Sequence, residues 1–377
     1  MNIIYIIQFF KRRSMKIMFY FNSMAPAGGI ERVISKHIKF LALENEVILL
    51  TNDSKPSFYD LPNNIVLDNI EEVSELNMKS RVARFYQIFK SIFRSSSKLR
   101  NKIKLHKPEV IYVASPLNLL KIFLANKKSH NLLVTEHASF NAYNLIYKLI
   151  VRILYGKVGL LTVPTIDDSK FYDSIGISNI YLPNPLSFYP SKHSTLDSKI
   201  VLNVGRFTED KQHHILIKSW KLTNQRINGW KLHIYGKGEN EQEIKRLIEE
   251  LDLAESVFIF PPTKAIEEKF IESSIFALSS RTEGFGLVLA EAMACGVPCV
   301  SFDCPTGPKD IILNEVNGLL IEQNNKKSFA EALDILMSDR DLRIKYGAQA
   351  RLDIKKFDEK IVGYKLNDLI NKNFKKN

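Results

Sequence analysis

Short apolar segments typical of strands alternate with amphipathic helical segments along almost the whole sequence. This alternation constrains the fold strongly, because it is the pattern of parallel sheets whose strands are joined by helices. Strands are predicted at 16–22, 46–51, 109–114, 131–135, 159–163, 200–204, 230–235, 257–260, 275–278, 298–302 and 318–321. The chain is therefore predicted to belong to the α/β class and to contain two parallel sheets.

The sequence is also long enough for two domains. A chain of 377 residues exceeds what one ordinary hydrophobic core holds together. The segment at 182–194 is rich in proline and serine and is predicted to be the linker. We expect one α/β domain at 15–188, a second at 198–355 and a final helix at 356–377.

Composition and cysteine content favour a globular protein of a reducing compartment. Hydrophobic residues make up 45% of the chain and charged residues 25%, which are ordinary values for such proteins. Cys295, Cys299 and Cys304 are odd in number and are not spaced like a zinc site, so we expect a cytoplasmic location and no metal. No apolar run reaches the ~20 residues of a membrane-spanning helix. Residues 1–14 carry their charges after the apolar part, which is the reverse of a secretory signal.

The net charge of +12 indicates an anionic partner, for which nucleic acid, acidic lipid and a nucleotide are candidates. Residues 79–107 contain ten Lys or Arg and no Asp or Glu. Apolar residues recur there at spacings of three and four, at Val82, Phe85, Ile88, Phe89, Ile92 and Phe93. The segment predicts a basic amphipathic helix suited to an anionic membrane surface; the alternative is a helix that buries this stripe in its own domain. No nucleic-acid-binding pattern is recognisable, so nucleic acid is not an expected partner.

The motif richest in chemistry lies at 280–298, where two carboxylates flank a glycine-rich turn between a strand and a helix. Gly284 and Gly286, on either side of Phe285, allow a tight turn with free N–H groups, and a helix N-terminus attracts anions. Glu283 would stand at the mouth of the turn and Glu291 about two turns along the helix, so they can reach different parts of one ligand. The motif predicts a site for a phosphate-bearing sugar donor; the alternative is a buried helix with two solvated glutamates.

Charged residues and glycines follow other predicted strands. Arg206 and Lys211 come after the strand at 200–204, where a guanidinium and an ammonium can both face a diphosphate. Gly28 and Gly29 follow the first strand, and such a pair lets the backbone approach a phosphate or an acceptor closely. The alternatives are a capped loop with solvated charges and a plain turn.

A histidine follows one strand of the first domain. His137 stands near the carboxyl end of the strand at 131–135, and parallel α/β sheets bind ligands at that edge. An imidazole there can hydrogen-bond a sugar hydroxyl in the transition state of glycosyl transfer. The alternative is a histidine with a structural role.

Residues 283–298 read E-G-F-G-L-x-x-x-E-A-x-A-x-G-x-P, which resembles the signature of the family-four retaining glycosyltransferases. These enzymes have the GT-B fold, with two facing Rossmann-like domains and a cleft between them. Their last helix crosses back to the first domain, as the segment at 356–377 would do here. The resemblance implies that Glu283 contacts the donor sugar and Glu291 the ribose of the nucleotide.

Other segments extend the resemblance. The pattern G-R-x-x-x-x-K at 205–211 matches the family's donor-phosphate motif, and G-G-x-E-R at 28–32 resembles its first loop. Gly236 lies in a G-x-G loop like the one beside the nucleotide, and the family's donor-sugar histidine corresponds to His137. The C-P-x-G-P segment at 304–308 is similar to that of polysaccharide-building members that use hexose or N-acetylhexosamine donors.

The motifs and the resemblance together predict a retaining glycosyltransferase that moves a hexose or N-acetylhexosamine from a UDP-sugar to a lipid-linked glycan. The expected product is a bacterial surface polysaccharide such as O-antigen or capsule. We expect no cofactor and no metal ion, because Arg206 and Lys211 can supply the positive charge. The enzyme is expected in the cytoplasm, on the inner face of the cell membrane. A sugar-nucleotide epimerase of the same fold and a catalytically silent nucleotide-sugar-binding protein are the alternatives.

Overall fold

The structure is a computed structural model that describes residues 14–72, 81–126 and 129–375, and for residues 81–89 the backbone alone. The segment at 1–14, which is unlike a secretory signal, lies outside the described residues except for its last residue. The contacts divide the chain into two compact units. One comprises Met1–Glu136, Leu145–Thr162 and Gly363–Asn377, and the other comprises His137–Asn144 and Val163–Val362.

The first sheet has seven strands. They are β1 (Lys16–Phe21), β2 (Glu46–Thr51), β3 (Val66–Asn69), β4 (Val110–Val113), β5 (Leu132–Thr135), β6 (Leu160–Val163) and β7 (Ile180–Tyr181). Their order across the sheet is β3-β2-β1-β4-β5-β6-β7, and the pairs from β3 to β6 are parallel. The central strand β1 is buried on both faces, which is why its sequence is an almost uninterrupted apolar run.

Helices join the strands of this sheet, as parallel pairing requires. They are α1 (Gly29–Leu41), α2 (Arg81–His106), α3 (Pro116–Ala125) and α4 (Leu145–Leu154). The helix α1 buries Val33, Ile34 and Ile38, which the helical period places on one side. On this unit α2 packs against α3, and α3 packs against α4.

The helix α2 occupies most of the segment predicted to be basic and amphipathic. Within it Ile92 and Leu99 are buried, whereas Phe93 is exposed. The other members of the predicted stripe lie outside the described side chains: Val82, Phe85, Ile88 and Phe89. The described half of α2 therefore buries part of its apolar stripe in its own unit.

Several basic side chains of α2 contact acidic residues near the edge strand β3. Lys98 Nζ lies 3.6 Å from a Glu72 carboxylate oxygen. Lys102 and His106 contact the two oxygens of Asp68 at 2.6 and 2.7 Å. Part of the positive charge of this helix is thus balanced within the unit.

The second sheet has six strands, and all of its pairs are parallel. They are β8 (Ile200–Val204), β9 (Lys231–Tyr235), β10 (Val257–Phe260), β11 (Ile275–Leu278), β12 (Cys299–Phe302) and β13 (Gly318–Ile321). Their order is β10-β9-β8-β11-β12-β13. The predicted α/β class with two parallel sheets is therefore confirmed.

The remaining helices are α5 (Ile166–Ser174), α6 (His213–Leu222), α7 (Glu241–Glu250), α8 (Ile266–Ile271), α9 (Leu287–Ala294), α10 (Pro308–Ile311), α11 (Lys326–Ser338), α12 (Arg340–Asp353) and α13 (Glu359–Phe374). Apolar clusters cover both faces of the second sheet, because alternate residues of β11 belong to different clusters. Ile275 and Ala277 belong to one cluster, and Phe276 and Leu278 to the other. The second sheet is thus a buried central layer.

The last helix, α13, continues into the first unit from Gly363 onwards. There the Tyr364 ring meets the Phe40 ring with 4.9 Å between their centroids, and Asn367 donates to a Glu44 carboxylate oxygen at 2.9 Å. The domain boundaries expected from the sequence stay predictions. None of the described helices combines the length and the apolar character that crossing a membrane would require.

Candidate functional site

The loops that follow β8 and β11 meet at the carboxyl edge of the second sheet, where parallel α/β proteins bind ligands. The Arg281 N–H donates to the Asp210 carbonyl oxygen at 2.7 Å, and the Ser279 hydroxyl donates to the Lys211 carbonyl oxygen at 2.9 Å. These bonds connect the two loops, so the side chains that the loops carry are held in position relative to each other.

Lys211 and Glu283 form an ion pair at this junction. The Lys211 Nζ lies 2.6 Å from Glu283 Oε1, and the Ser280 hydroxyl donates to the same oxygen, also at 2.6 Å. The lysine side chain is 22% exposed and the glutamate side chain 9%, so their attraction is screened less than at an open surface. The structure thus brings together a cation and a carboxylate that belong to separate sequence motifs.

Arg206 lies on the same loop as Lys211 and is exposed. Its guanidinium forms no hydrogen bond or ion pair with any residue in the ranges that the structure describes. Phe207 anchors the loop, since its ring is buried and its N–H donates to the Lys237 carbonyl oxygen at 3.0 Å. An exposed guanidinium on an anchored loop is well placed to bind an anion.

Gly236 lies in the neighbouring loop, directly after β9. Its N–H donates to the Phe260 carbonyl oxygen at 3.0 Å, so this amide is already used at the edge of the sheet. The Phe260 ring stacks on the Tyr235 ring with 4.7 Å between their centroids. The expected position of Gly236 beside the nucleotide stays a prediction.

Close contacts shape the glycine-rich turn before α9. Gly286 caps the helix with a φ of +92°, a left-handed conformation that favours glycine. A Cβ atom on Gly284 would lie 2.0 Å from the His137 carbonyl oxygen, so a side chain does not fit there. Phe285 is buried, with its ring 5.1 Å from that of Phe357, which leaves only its main chain for contact with a donor.

Glu291 lies inside α9, and its carboxylate is buried. The Ser187 hydroxyl donates to Glu291 Oε1 at 2.5 Å. Because Glu283 is also largely buried and paired, the alternative of two solvated glutamates is wrong. The predicted contacts with the sugar and the ribose stay predictions for the two carboxylates.

His137 is partly buried next to the same turn, since Gly284 packs on its carbonyl oxygen. Burial lowers the pKa of the imidazole to about 4. A hydrogen bond with the Asn184 side chain has the opposite, smaller effect. The imidazole is therefore neutral near pH 7. The structure places His137 beside the Glu283 motif, and its contact with the donor sugar stays a prediction.

Most of the second unit matches a known protein family. Residues 188–353, which contain Arg206, Lys211, Glu283 and Glu291, match the family model of the glycosyl transferases group 1. This segment is a group 1 glycosyltransferase domain.

Two relatives match almost the full length of this glycosyltransferase. The amylovoran biosynthesis glycosyltransferase AmsD of Erwinia amylovora is 26% identical over 366 residues, which cover 94% of this chain and 99% of AmsD. The N-acetylgalactosamine-N,N'-diacetylbacillosaminyl-diphospho-undecaprenol 4-alpha-N-acetylgalactosaminyltransferase of Campylobacter jejuni is 25% identical over 356 residues. That match covers 88% of this chain and 93% of the relative.

A solved structure shares the fold of the glycosyltransferase. The crystal structure of an S. aureus TarM variant, in complex with fondaparinux, alpha-GlcNAc-glycerol and UDP, superposes with a TM-score of 0.78 at 17% identity. The superposition covers 95% of this chain and 100% of the TarM chain. The predicted GT-B fold and the resemblance to known glycosyltransferases are therefore confirmed.

Three hydroxyl side chains of the glycosyltransferase support the glutamates and were not predicted. Besides Ser280 and Ser187, the Thr306 hydroxyl donates to the Glu283 carbonyl oxygen. Thr306 lies in the segment at 304–308 that the sequence connects with sugar choice, and Ser280 precedes Glu283 by three residues. Thr306 and Ser280 could therefore have been suspected from their motifs. The Ser187 contact with Glu291 spans 104 residues, and no sequence pattern indicates it.

Gly28 and Gly29 lie at the start of α1, in the first unit of the glycosyltransferase. The Gly28 carbonyl oxygen accepts hydrogen bonds from the Arg32 N–H and the Tyr59 hydroxyl, each at 3.2 Å. The Arg32 guanidinium also lies over the Tyr59 ring, 5.2 Å from its centroid. The loop is therefore tied down locally, and its predicted contact with the donor stays a prediction.

The three cysteines of the glycosyltransferase are buried. Burial raises the pKa of Cys295, Cys299 and Cys304, and that of Cys304 reaches about 12. Thiols in such surroundings are poor nucleophiles and poor metal ligands. In the part of the chain that the structure describes, no group of three or more His, Cys, Asp or Glu residues is placed to hold a metal ion.

Proposed function

We propose that this chain is a retaining glycosyltransferase that moves a hexose or N-acetylhexosamine from a UDP-sugar to a lipid-linked glycan in bacterial surface polysaccharide synthesis. The observation that carries the proposal is the Lys211–Glu283 ion pair on loops that also carry the exposed Arg206. This arrangement offers two cations to a diphosphate and a carboxylate to a sugar at one edge of the sheet.

The departing diphosphate explains the need for cations. The bond between the anomeric carbon and the phosphate oxygen breaks, and its electron pair stays with the nucleoside diphosphate. Arg206 would bind this group through paired hydrogen bonds and Lys211 as a point charge, and the helix amides near Gly286 would add further donors. The acceptor hydroxyl forms the new bond to the anomeric carbon, and its proton passes to the departing diphosphate. Groups that meet the developing charge lower the barrier as well as tighten binding.

One lysine can serve both parts of the donor. Glu283 accepts hydrogen bonds from Lys211 and Ser280. An ammonium has three N–H donors, so Lys211 can keep Glu283 and also donate to a phosphate. Ser280 and Thr306 would then hold the carboxylate and its main chain in place while the sugar binds.

Similar proteins support the classes of donor and acceptor. The TarM complex contains UDP, and the Campylobacter jejuni relative is named for N-acetylgalactosamine transfer and a diphospho-undecaprenol-linked glycan. AmsD is named for the biosynthesis of amylovoran. These names agree with the sequence prediction of an N-acetylhexosamine or hexose donor and a lipid-linked acceptor.

The proposed enzyme works without a metal ion or another cofactor, with Arg206 and Lys211 providing the positive charge. Its proposed location is the cytoplasm, on the inner face of the cell membrane. The macromolecular surface that it meets there is anionic lipid and not nucleic acid, in line with the absence of Asp and Glu from 79–107.

A donor screen tests the proposal. The purified protein is incubated with UDP-, GDP- and ADP-sugars, with and without a lipid-diphosphate-linked sugar, and release of the nucleoside diphosphate is measured in the presence and absence of a chelator. We expect release from a UDP-hexose or UDP-N-acetylhexosamine that rises strongly with the acceptor and is insensitive to the chelator. Conversion of the donor into a different nucleotide sugar would instead indicate an epimerase. Nucleotide binding without any turnover would indicate a silent binding protein.

A further inference from the structure

The helix α4 exposes an apolar stripe on the first unit. Four of its large apolar side chains are exposed: Leu145 (85%), Ile146 (55%), Leu149 (58%) and Ile153 (47%). The helical period places them along one side, while Ile150, Val151 and Leu154 on the other side are buried. Single exposed apolar residues are ordinary, but a stripe of four on one short helix indicates a surface that meets an apolar partner.

Cations accompany this stripe. With about 3.6 residues per turn, Lys148 and Arg152 fall next to Leu145 along one edge of the stripe. Lys157 follows shortly after the helix, and Arg152 and Lys157 are exposed. No Asp or Glu occurs between residues 138 and 166. The surface of α4 therefore combines exposed apolar groups with positive charge, in a segment that contains no acidic residue.

The neighbouring helices extend the same character. The helices α2, α3 and α4 pack in that order, and none of them contains an acidic residue. Leu124 of α3 and Phe93 of α2 are exposed as well. Lys98 and Lys102 of α2 are paired with acidic residues of their own unit, whereas Arg152 and Lys157 are exposed beside the apolar stripe. The helix α4 is therefore the better candidate for contact with an anionic partner.

We infer that α4 docks the enzyme on an anionic phospholipid bilayer, with its apolar stripe at the boundary between headgroups and acyl chains. Such a bilayer supplies both an apolar layer and negative charge, which are the two complements of this surface. A helix of ten residues is about 15 Å long, which suits a helix that lies in the interface and does not cross it. The inference deepens the proposed function, because it names the surface that brings the enzyme to a lipid-linked acceptor, but it does not depend on the sugar chemistry.

Vesicle sedimentation tests this inference. The full chain is mixed with vesicles of phosphatidylcholine and phosphatidylglycerol, or of phosphatidylcholine alone. The test variant carries Leu145→Glu and Leu149→Glu. The control variant carries Leu43→Glu and Leu67→Glu, which lie on other elements of the same unit and are 75% and 65% exposed. Circular dichroism and donor hydrolysis in solution are measured for every variant.

We expect the parent and the control to bind the anionic vesicles. The test variant should bind them at least about tenfold more weakly, because it loses apolar contact and gains negative charge. Arg152→Gln with Lys157→Gln should weaken binding at low salt only. Unchanged folding and donor hydrolysis in the test variant would separate docking from catalysis.

Equal binding of the test variant and the parent to anionic vesicles would overturn the inference. A parent that does not bind anionic vesicles would overturn it as well. A parent that is dimeric and a test variant that is monomeric in sedimentation velocity would show that a second copy covers α4 instead. Vesicle binding through α4 without any donor turnover would contradict the proposed function and leave the docking surface intact.

Discussion

Lys211 is the central residue of the candidate site, because it contacts Glu283 and shares a loop with Arg206. Leaving a largely buried carboxylate without its cation costs free energy, so Lys211 stabilises the folded site as well as any bound diphosphate. Arg206 is different, since it has no partner to lose among the described residues. Substitutions of the two cations should therefore have distinguishable effects on stability and similar effects on the binding of a nucleoside diphosphate.

Arg206→Ala and Lys211→Ala should each weaken UDP binding by roughly tenfold to hundredfold, since each lost charge-assisted hydrogen bond is worth about 1.5–3 kcal/mol. Arg206→Lys should restore affinity only in part, because the planar fork is lost. Isothermal titration calorimetry measures the affinity, and Lys218→Ala on the exposed face of α6 is the matched control. Unchanged affinity in both alanine variants would exclude the assignment of the diphosphate to these cations.

The two glutamates should differ in their effect on the nucleotide. Glu291→Gln should weaken UDP binding, because its buried carboxylate is expected at the ribose. Glu283→Gln should keep UDP affinity and lower kcat, because its carboxylate is expected at the sugar. Glu249→Gln, at an exposed position of α7 in the same unit, serves as the control. Calorimetry with UDP and steady-state kinetics separate the two cases, and an equal loss of UDP affinity in both variants would contradict the division.

His213 should make stability depend on pH. Burial, followed by the nearby charges of Lys211 and His214, lowers its pKa from 6.5 to about 4. Neither ring nitrogen has a hydrogen-bond partner among the described residues, so a protonated ring would be uncompensated. Between these values the unfolded chain binds more protons, so stability is greatest above about pH 6.5 and falls as the pH drops towards 4.

A depression of this size corresponds to roughly 3 kcal/mol of unfolding free energy. Urea unfolding of the parent and of His213→Gln, measured between about pH 4 and 7, checks this dependence. The variant should lose less stability on acidification than the parent does, and His130→Gln at an exposed position should behave like the parent. Parallel pH profiles for the parent and His213→Gln would show that this histidine is not responsible.

At the scale of elements, strands with buried side chains could be predicted from the sequence, whereas exposed or very short strands could not. The strand β1 could be predicted because it is apolar along almost its full length, and α9 because Gly286 and Gly296 mark its ends. The strand β3 was missed because Val66 and Leu67 are exposed, so no buried side produces an alternating pattern. The two-residue strand β7 is too short to leave any pattern.

The turn before α9 should be the element least tolerant of added volume. Gly284→Ala places a methyl group where the His137 carbonyl oxygen lies, so the backbone must shift. We expect a loss of about 1–3 kcal/mol in unfolding free energy and a strong loss of donor turnover. Gly156→Ala is the matched control, because a Cβ there meets nothing within 4 Å. Urea unfolding and the donor-release assay check both variants, and equal behaviour of the two would mean that the turn is not constrained by His137.

At the scale of the molecule, the α/β class and the two parallel sheets followed from the alternation of strands and helices. The grouping of residues 137–144 and 163–362 into one compact unit could not be predicted from that alternation. It depends on contacts between distant positions, such as the Ile166 N–H on Asp310 at 2.8 Å and the Asp167–Lys309 ion pair at 2.7 Å. The Lys211–Glu283 pair is of the same kind, because both residues were predicted and their contact was not.

The most direct test of the proposed function is the anomeric configuration of the transferred sugar. The enzyme is incubated with the UDP-sugar selected by the donor screen and a lipid-diphosphate-linked acceptor, and the purified product is examined by nuclear magnetic resonance. We expect acceptor-dependent transfer in which the new glycosidic bond has the same anomeric configuration as the donor, and no product with Glu283→Gln. An inverted product, or transfer that persists in full with Glu283→Gln, would contradict the assignment of a retaining glycosyltransferase centred on Lys211 and Glu283.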